Sequence, residues 1–297
     1  MENAIEVKGL TKQYKNFLLD NISFNVPKGY VCGFIGQNGA GKTTTLKLLL
    51  GMAIKDAGET TILGKCCGNV SIKEDLGILF DQPFFQEDWT PIRVEKALKP
   101  FYPHWDSESF YKYLQKFSIE PKQKFKSLSR GNKMKLGLAA ALSHNARLLI
   151  LDEPTASLDP VMRDQLMDIL RDYMMEEDRS IFFSSHITSD LEKIADYIVY
   201  IHKGQIMYSG PKHELTEKYC IIRGGKVDLP RLHGRAALEE SDQPRGKQGD
   251  IIGYREHIGG FDGLIEVSKL SGFGADIVAE PASLDDIMVC MDREGVL

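Results

Sequence analysis

The chain has 297 residues, enough for one large domain with an appendage or for two modest domains. Its composition, 42% hydrophobic and 27% charged, is ordinary for a globular protein, and a formal net charge of −5 argues against a nucleic-acid binder, which usually needs a basic face. No apolar run approaches the ~20 residues that cross a bilayer, and the first residues are unlike a secretory signal. Five cysteines, two of them adjacent, favour reduced thiols in the cytosol over a disulfide framework.

Apolar runs and turn signals predict alternating strands and helices along the chain. Between residues 83 and 145 the periodicity becomes helical, and both tryptophans fall in this segment. After about residue 220, short strand-like pieces alternate with glycine and charge, which favours a small α+β appendage. The predicted elements are strands within about 5–35, a helix at 43–51, buried strands at 76–80, 147–151 and 181–185, and a hairpin at 197–210.

The segment GQNGAGKT, residues 36–43, lies between a predicted strand and a predicted helix. It matches the pattern G-x-x-x-x-G-K-[ST] at every position. Its glycines let consecutive backbone N–H groups form an anion-binding nest, and the following helix adds its free N–H groups and the positive end of its dipole. Lys42 can reach the outer phosphates of a nucleotide, and Thr43 can place its hydroxyl on Mg²⁺. The predicted nucleotide-binding residues here are Gly36, Asn38, Gly39, Ala40, Gly41, Lys42, Thr43 and Thr44.

The segment LLILDEPTASLD, residues 148–159, ends an apolar run with two adjacent carboxylates. A buried strand presents such residues at its carboxyl end, where open α/β sheets bind their ligands. We predict that Asp152 helps to hold Mg²⁺, directly or through water, and that Glu153 polarises a water molecule. The pair Asp159-Pro160 predicts the start of a helix, with aspartate as its cap and proline in its first turn.

With these motifs in this order, the chain resembles the ATP-binding cassette (ABC) ATPases, specifically the nucleotide-binding subunit of a transporter, over about residues 3–220. The resemblance implies that Tyr14 stacks on adenine and that Asp159 is the aspartate of the D-loop beside the nucleotide. It also implies that Gln82 contacts Mg²⁺ and the attacking water, and that His186 contacts the γ-phosphate. Glu153, as general base, then completes the catalytic set.

The segment SLSRGNKMKLGLAAAL, residues 127–142, resembles the signature of this family. The commonest form of the signature is Leu-Ser-Gly-Gly-Gln, whereas residues 128–132 read Leu-Ser-Arg-Gly-Asn. Ser129 and Gly131 are kept at the start of a predicted helix, where a hydroxyl, a backbone N–H and the helix dipole can meet a γ-phosphate. Arg130 and Asn132 depart from the common form, and the LSRG variant is similar to that of a bacterial exporter subgroup.

The resemblance implies an α/β fold, a P-loop NTPase (RecA-like) core with an antiparallel β subdomain and a helical subdomain at about 83–145. This ABC ATPase domain would span residues 1–220, and residues 221–297 would form a carboxyl-terminal accessory domain. The implied activity is ATP hydrolysis, with ATP and Mg²⁺ bound. Two cassettes, identical or different, would enclose two ATP molecules, each between the P-loop of one chain and the signature of the other.

The resemblance also implies partners in the membrane. The permease subunits would be separate, separately encoded polypeptides, and this chain would lie peripherally on the cytoplasmic face and power transport, with export favoured. Phe84, Phe85, Trp89 and Trp105 are candidates for the groove that receives a permease helix, or else for ordinary core. No nucleic-acid partner is expected. Two other functions stay open: a soluble ABC ATPase of translation or DNA repair, and an ATP-gated regulatory cassette.

Overall fold

The computed structural model describes residues 2–67, 69–81, 85–225, 250–273 and 277–293. The chain separates into two compact units, Met1–Ser209 and Gly210–Leu297. The elements that begin within the first unit are β1 (Asn3–Tyr14), β2 (Phe17–Pro27), β3 (Val31–Ile35), α1 (Lys42–Leu49), β4 (Ala57–Ile62), β5 (Lys65–Cys66), β6 (Leu76–Leu79), α2 (Pro91–Leu98), α3 (Ser107–Lys116), α4 (Arg130–Leu142), β7 (Leu148–Asp152), α5 (Pro160–Met174), β8 (Ser180–Ser185), α6 (Thr188–Ile194), β9 (Tyr197–His202) and β10 (Gln205–Pro211).

A six-stranded sheet with the order β10-β9-β3-β8-β7-β6 is the centre of the first unit. Its strands β9, β3, β8, β7 and β6 pair in parallel. Every residue of β3, β7 and β8 is buried, which explains why their sequences are nearly continuous apolar runs. The carboxyl ends of these three neighbouring strands therefore lie side by side, at the edge where such sheets bind ligands.

A second, antiparallel sheet with the order β2-β1-β4-β5 packs against the central sheet. Phe24 of β2 stacks on two rings of the central strands, with ring centroids 5.7 Å from Phe34 and 5.8 Å from Phe182. All three rings are buried, and each contributes roughly 1.5–3 kcal/mol through the apolar surface that it removes from water. This packing fixes the position of the β1–β2 hairpin relative to the end of β3.

Helices α2, α3 and α4 fall inside the segment whose sequence predicts helices. Thr90 and Asp106 cap α2 and α3 with their side-chain oxygens, which explains where those helices begin. Trp105 is buried with its ring against Tyr102 and Phe110, so it belongs to the core of this helical part and not to a surface groove. Phe84 lies outside the described residues.

The second unit is α+β, as the sequence predicts. Its strands form an antiparallel sheet with the order β12-β13-β11-β14, and its last helix packs on β12 and β13. The unit begins after Ser209, earlier than the expected 220, because the helix and strand that precede residue 225 belong to it. Its elements are α7 (Lys212–Lys218), β11 (Tyr219–Gly225), β12 (Ile252–His257), β13 (Gly260–Glu266), β14 (Val278–Pro281) and α8 (Leu284–Arg293). Among the described residues of the whole chain, none of the helices has the length and hydropathy that crossing a membrane requires.

Candidate active site

The loop between β3 and α1 is compact because glycine occupies its tightest positions. A Cβ at Gly36 would lie 2.4 Å from the carbonyl oxygen of Ile201, and Gly39 and Gly41 have φ of +83° and +117°. The backbone of Ala40 is held in place by the N–H of Gly204, which donates to its carbonyl at 2.9 Å. Helix α1 begins directly after Gly41, so its first N–H groups, which have no partner within the helix, open onto this loop.

Lys42 is 5% exposed, and its ammonium lies inside the loop. The Nζ atom donates to the carbonyl oxygens of Gly36 at 2.6 Å and Gln37 at 3.2 Å. It also forms an ion pair with Oε1 of Glu153 at 3.0 Å. Lysine is almost never fully buried unless it is paired, and these contacts hold a positive charge at the carboxyl edge of the sheet.

Thr43 and Asp152 place two oxygen ligands next to each other. The Thr43 hydroxyl donates to Oδ2 of Asp152 at 2.8 Å, and the Ser184 hydroxyl donates to Oδ1 at 2.6 Å. Burial raises the pKa of the Asp152 carboxyl, and these two hydrogen bonds oppose the rise. A hydroxyl and a carboxylate fit Mg²⁺, which in nucleotide sites takes few protein ligands and completes its shell with phosphate oxygens and water.

Glu153 follows β7 with a backbone φ of +51°, the left-handed region that a non-glycine residue seldom adopts. Such a conformation costs of order 1–3 kcal/mol and persists where surrounding contacts hold it, commonly at active sites. Here its N–H donates to the Ser184 carbonyl at 3.0 Å. Its Oε2 lies 2.6 Å from Nδ1 of His186 and accepts from the His186 N–H at 3.3 Å. Lys42, Glu153 and His186 therefore form one continuous chain of contacts.

The aromatic residue Tyr14 stands at the end of β1, where it pairs with Phe17 across the hairpin. A Cβ at Gly41 would lie 2.9 Å from Cζ of Phe17, so this hairpin end lies against the glycine loop. The Tyr14 side chain is 42% exposed, and Lys12 Nζ lies 5.6 Å from its ring centroid. An exposed ring at this place is available for stacking on a flat base.

The signature residues lie at the beginning of α4. The Ser129 hydroxyl caps the helix by accepting from the N–H of Asn132 at 3.2 Å. A Cβ at Gly131 would lie 3.2 Å from the carbonyl oxygen of Ser157, in the loop that leads to Asp159. Asp159 caps α5 by accepting from the Met162 N–H at 3.0 Å, and Pro160 is in the first turn, as the sequence predicts.

The structure thus brings together Lys42, Thr43, Asp152, Glu153 and His186. Across the described ranges, no hydrogen bond or ion pair joins Ser129 or Gly131 to that group. Gln82 lies outside the described residues. Sequence reasoning missed Ser184, which contacts both Asp152 and the Glu153 backbone. Its signal was the change from apolar residues to serine at the end of the IFFSS strand.

The chain is similar to known proteins in sequence and in fold. The family model for the ABC transporter matches residues 19–156. The bacitracin transport ATP-binding protein BcrA of Enterococcus faecalis is 34% identical over 242 residues, covering 76% of this chain and 77% of BcrA. The lantibiotic transport ATP-binding protein SrtF of Streptococcus pyogenes is 32% identical over 206 residues, covering 68% of this chain and 89% of SrtF.

Solved structures with the same fold are ATP-binding cassettes. The ATP-binding subunit of an ABC transporter superimposes with a TM-score of 0.64 at 23% identity, covering 79% of this chain and 95% of that one. A dimeric ATP-binding cassette in a post-hydrolysis state, bound to ADP and Pi, gives a TM-score of 0.63 at 22% identity, covering 70% and 98%. These matches confirm the α/β P-loop core predicted from the sequence.

The fold and the site define a nucleotide-binding P-loop ATPase. The chain belongs to the family of ABC transporter ATP-binding subunits, as the identity to BcrA over most of both chains shows. It is the ATP-binding and ATP-hydrolysing motor subunit of an ABC transporter.

Proposed function

We propose that this chain hydrolyses Mg²⁺-bound ATP with the residues at the carboxyl edge of its central sheet, and that this drives export through separate permease subunits. The observation that carries the assignment of the site is the Lys42–Glu153–His186 chain of contacts beside the Thr43–Asp152 pair. These contacts support a site in which one polar cluster offers a cation to phosphate, a carboxylate to water and two hard oxygen ligands to Mg²⁺.

The roles follow from charge and geometry. The terminal phosphate of ATP carries negative charge, so it competes with Glu153 for the Lys42 ammonium. Glu153, relieved of that ion pair, accepts the proton of the attacking water while His186 holds its other oxygen in place. Thr43 and Asp152 would hold Mg²⁺, with Gln82 as a third ligand, and the ion would supply positive charge to the phosphate oxygens. The glycine loop and the start of α1 bind the phosphate oxygens through N–H groups.

We propose that Ser129 and Gly131 act on the nucleotide of a second cassette, since neither is joined to the phosphate-binding group of its own chain. Their place at the start of a 13-residue helix gives a hydroxyl and the positive end of a dipole to a γ-phosphate. Asp159, which begins the next helix, would lie at the same junction, and Tyr14 would stack on the adenine. The solved cassette that is dimeric with ADP and Pi supports this arrangement.

A cavity of about 180 Å³ supports the proposal that a permease subunit binds this chain. It lies where β6, the segment after it, α2 and α4 meet, and its walls are largely apolar. Its volume suits one or two large apolar side chains, so we propose that a short permease helix inserts such a side chain here. Binding there would hold the chain at the cytoplasmic face of the membrane. The lining residues that would make this contact include Ile78, Phe80, Phe85, Tyr102, Ala140 and Ala141.

Peptide antibiotics are the substrate class that we propose. The names of BcrA and SrtF include bacitracin transport and lantibiotic transport, and this chain aligns with most of the length of each of these proteins. The LSRG form of the signature, which is similar to that of a bacterial exporter subgroup, favours export. The soluble and purely regulatory alternatives have no such support.

The activity is tested by Glu153→Gln, which keeps size and hydrogen bonding and removes the base. We expect ATP binding to be kept or strengthened, because the carboxylate no longer competes for Lys42, and a turnover rate about 10²–10⁴-fold lower. Glu177→Gln, at an exposed position, is the matched control and should keep full activity. Near-normal ATPase activity of the Glu153→Gln variant would contradict the assignment of the base.

The direction is tested in inside-out vesicles that contain this chain and the permease subunits encoded beside it. Export predicts ATP-dependent uptake of labelled bacitracin or of a lantibiotic, absent with Glu153→Gln. Uptake only into right-side-out vesicles would contradict export. ATPase stimulation by RNA or DNA, and not by permease subunits, would instead favour the soluble class.

A further inference from the structure

The unusual arginine of the signature has a partner in its own chain. Arg130 is the first residue of α4, and its Nη2 lies 2.7 Å from Oδ1 and 3.0 Å from Oδ2 of Asp81. Asp81 comes two residues after β6 ends and directly precedes Gln82 in the sequence. The ion pair therefore joins the helix that begins after Ser129 to the segment that leads to Gln82.

The packing of α4 explains why these residues meet. The close approach of this helix to β6 is seen at Gly77, where a Cβ would lie 2.7 Å from the carbonyl oxygen of Ala141. The carboxyl end of α4 thus lies by the beginning of β6, and its amino end lies by Asp81. A carboxylate is also favoured near the amino end of a helix, whose dipole is positive there.

The small contribution of this ion pair to stability argues for a positioning role over a structural one. The Arg130 side chain is 61% exposed and that of Asp81 is 36% exposed. Ion pairs this exposed contribute little to stability, so the fold does not depend on this one. The pair does tie the residue between Ser129 and Gly131 to the segment that follows β6.

We propose that Arg130 is a positioning residue: through its ion pair with Asp81 it holds the signature of this chain in the orientation that binds the ATP of a second cassette. The common signature has glycine at this place and has no side chain to make the contact. This inference rests on the proposed pairing of two cassettes through ATP. Loss of the pair should weaken that pairing and leave the ATP affinity of a single chain unchanged.

The test uses full-length chain carrying Glu153→Gln, with saturating ATP and Mg²⁺, in analytical ultracentrifugation. Arg130→Gln and Asp81→Asn should each raise the dimer dissociation constant roughly two- to tenfold, since one exposed pair is lost in each of two chains. The double variant should be no weaker than either single one, because both changes remove the same contact. Arg130→Lys, which keeps the charge, should recover part of the loss.

Two controls distinguish an effect on the orientation of the signature from a general loss of stability. Asp88→Asn removes another exposed carboxylate, paired with Lys124 and Lys126, and should leave dimerisation unchanged. Thermal midpoints and single-chain ATP affinity should be equal for all variants, which a destabilised fold would not allow.

The outcomes distinguish this inference from the function on which it rests. A Glu153→Gln chain that does not dimerise with ATP would overturn the pairing of two identical cassettes and the positioning role with it, whereas the proposed ATP hydrolysis would be overturned only by the activity assay on Glu153→Gln. A normal dimer that Arg130→Gln leaves intact would overturn the positioning role alone. If Arg130→Gln weakens the dimer but Asp81→Asn does not, Arg130 acts directly on the partner and the ion pair with Asp81 is not its means.

Discussion

Lys42 is the residue on which nucleotide binding most depends, because its ammonium is buried at the phosphate loop among acceptors of the same site. Lys42→Ala removes one charge-assisted contact to phosphate, which typically contributes about 1.5–3 kcal/mol, so ATP affinity should fall by roughly 10- to 150-fold. Isothermal titration with a non-hydrolysable ATP analogue measures this. Lys47→Ala, at an exposed position of the same helix, is the matched control and should bind normally. Unchanged affinity of Lys42→Ala would mean that the loop is only a turn.

Single residues also show what the sequence could and could not predict. The glycine pattern and the Asp152-Glu153 pair could be predicted because the residues that carry their chemistry are consecutive in the sequence. Ser184 could not be, because its contact with Asp152 exists only through the register of β7 on β8, where these two residues are partners. The left-handed backbone of Glu153 was hidden for the same reason: neighbouring strands impose it, and local propensity does not predict it.

At the scale of elements, the start of α4 carries the next prediction. Ser129→Ala removes both a helix cap and the proposed hydroxyl contact to a second cassette. In the Glu153→Gln background, the ATP-dependent dimer measured by analytical ultracentrifugation should weaken by about 1–3 kcal/mol for each lost charge-assisted hydrogen bond. Stability should also fall, by about 0.5–2 kcal/mol, because the cap is lost.

A matched variant separates these two effects. Asp106→Ala removes the cap of α3, where the carboxylate accepts from the N–H groups of Glu108 and Ser109. It should lower the denaturation midpoint in the same way and leave the ATP-dependent dimer intact. Equal weakening of the dimer by both variants would assign the Ser129 effect to helix stability alone.

Elements were the best predicted level of the structure. Apolar runs marked β3, β6, β7 and β8 because buried parallel strands must be apolar on both faces. The strand order was not readable from the residues, because pairing between distant segments leaves no local trace; the structure supplies it. The predicted boundary at 220 rested on the change to glycine and charge in the sequence, whereas the contacts of α7 and β11 place both in the second unit.

At the scale of the whole molecule, the position of β3 in the central sheet determines when during synthesis the sheet can form. Val31 at its start is bonded to Asp196, which is 165 residues further along the chain. At ~5–20 residues per second, a ribosome needs roughly 10–30 s to make the intervening chain. Until residue 185 is made, VCGFI has neither of its neighbours, β8 and β9, and β9 is still missing at residue 196. Gly36 and Ala40 lack the contacts that Ile201 and Gly204 supply for longer still.

The phosphate loop is therefore encoded early and can be completed only late in synthesis. ATP-agarose should not retain nascent chains that are arrested at residue 195. It should retain chains that are arrested beyond residue 250, provided that β9 and Gly204 have left the ribosomal exit tunnel. Until then the exposed, unpaired β3 is a site for aggregation, since long-range parallel pairing forms slowly. ATP consequently cannot assist the early steps of folding, and this chain should depend on chaperones that shield apolar segments during its synthesis.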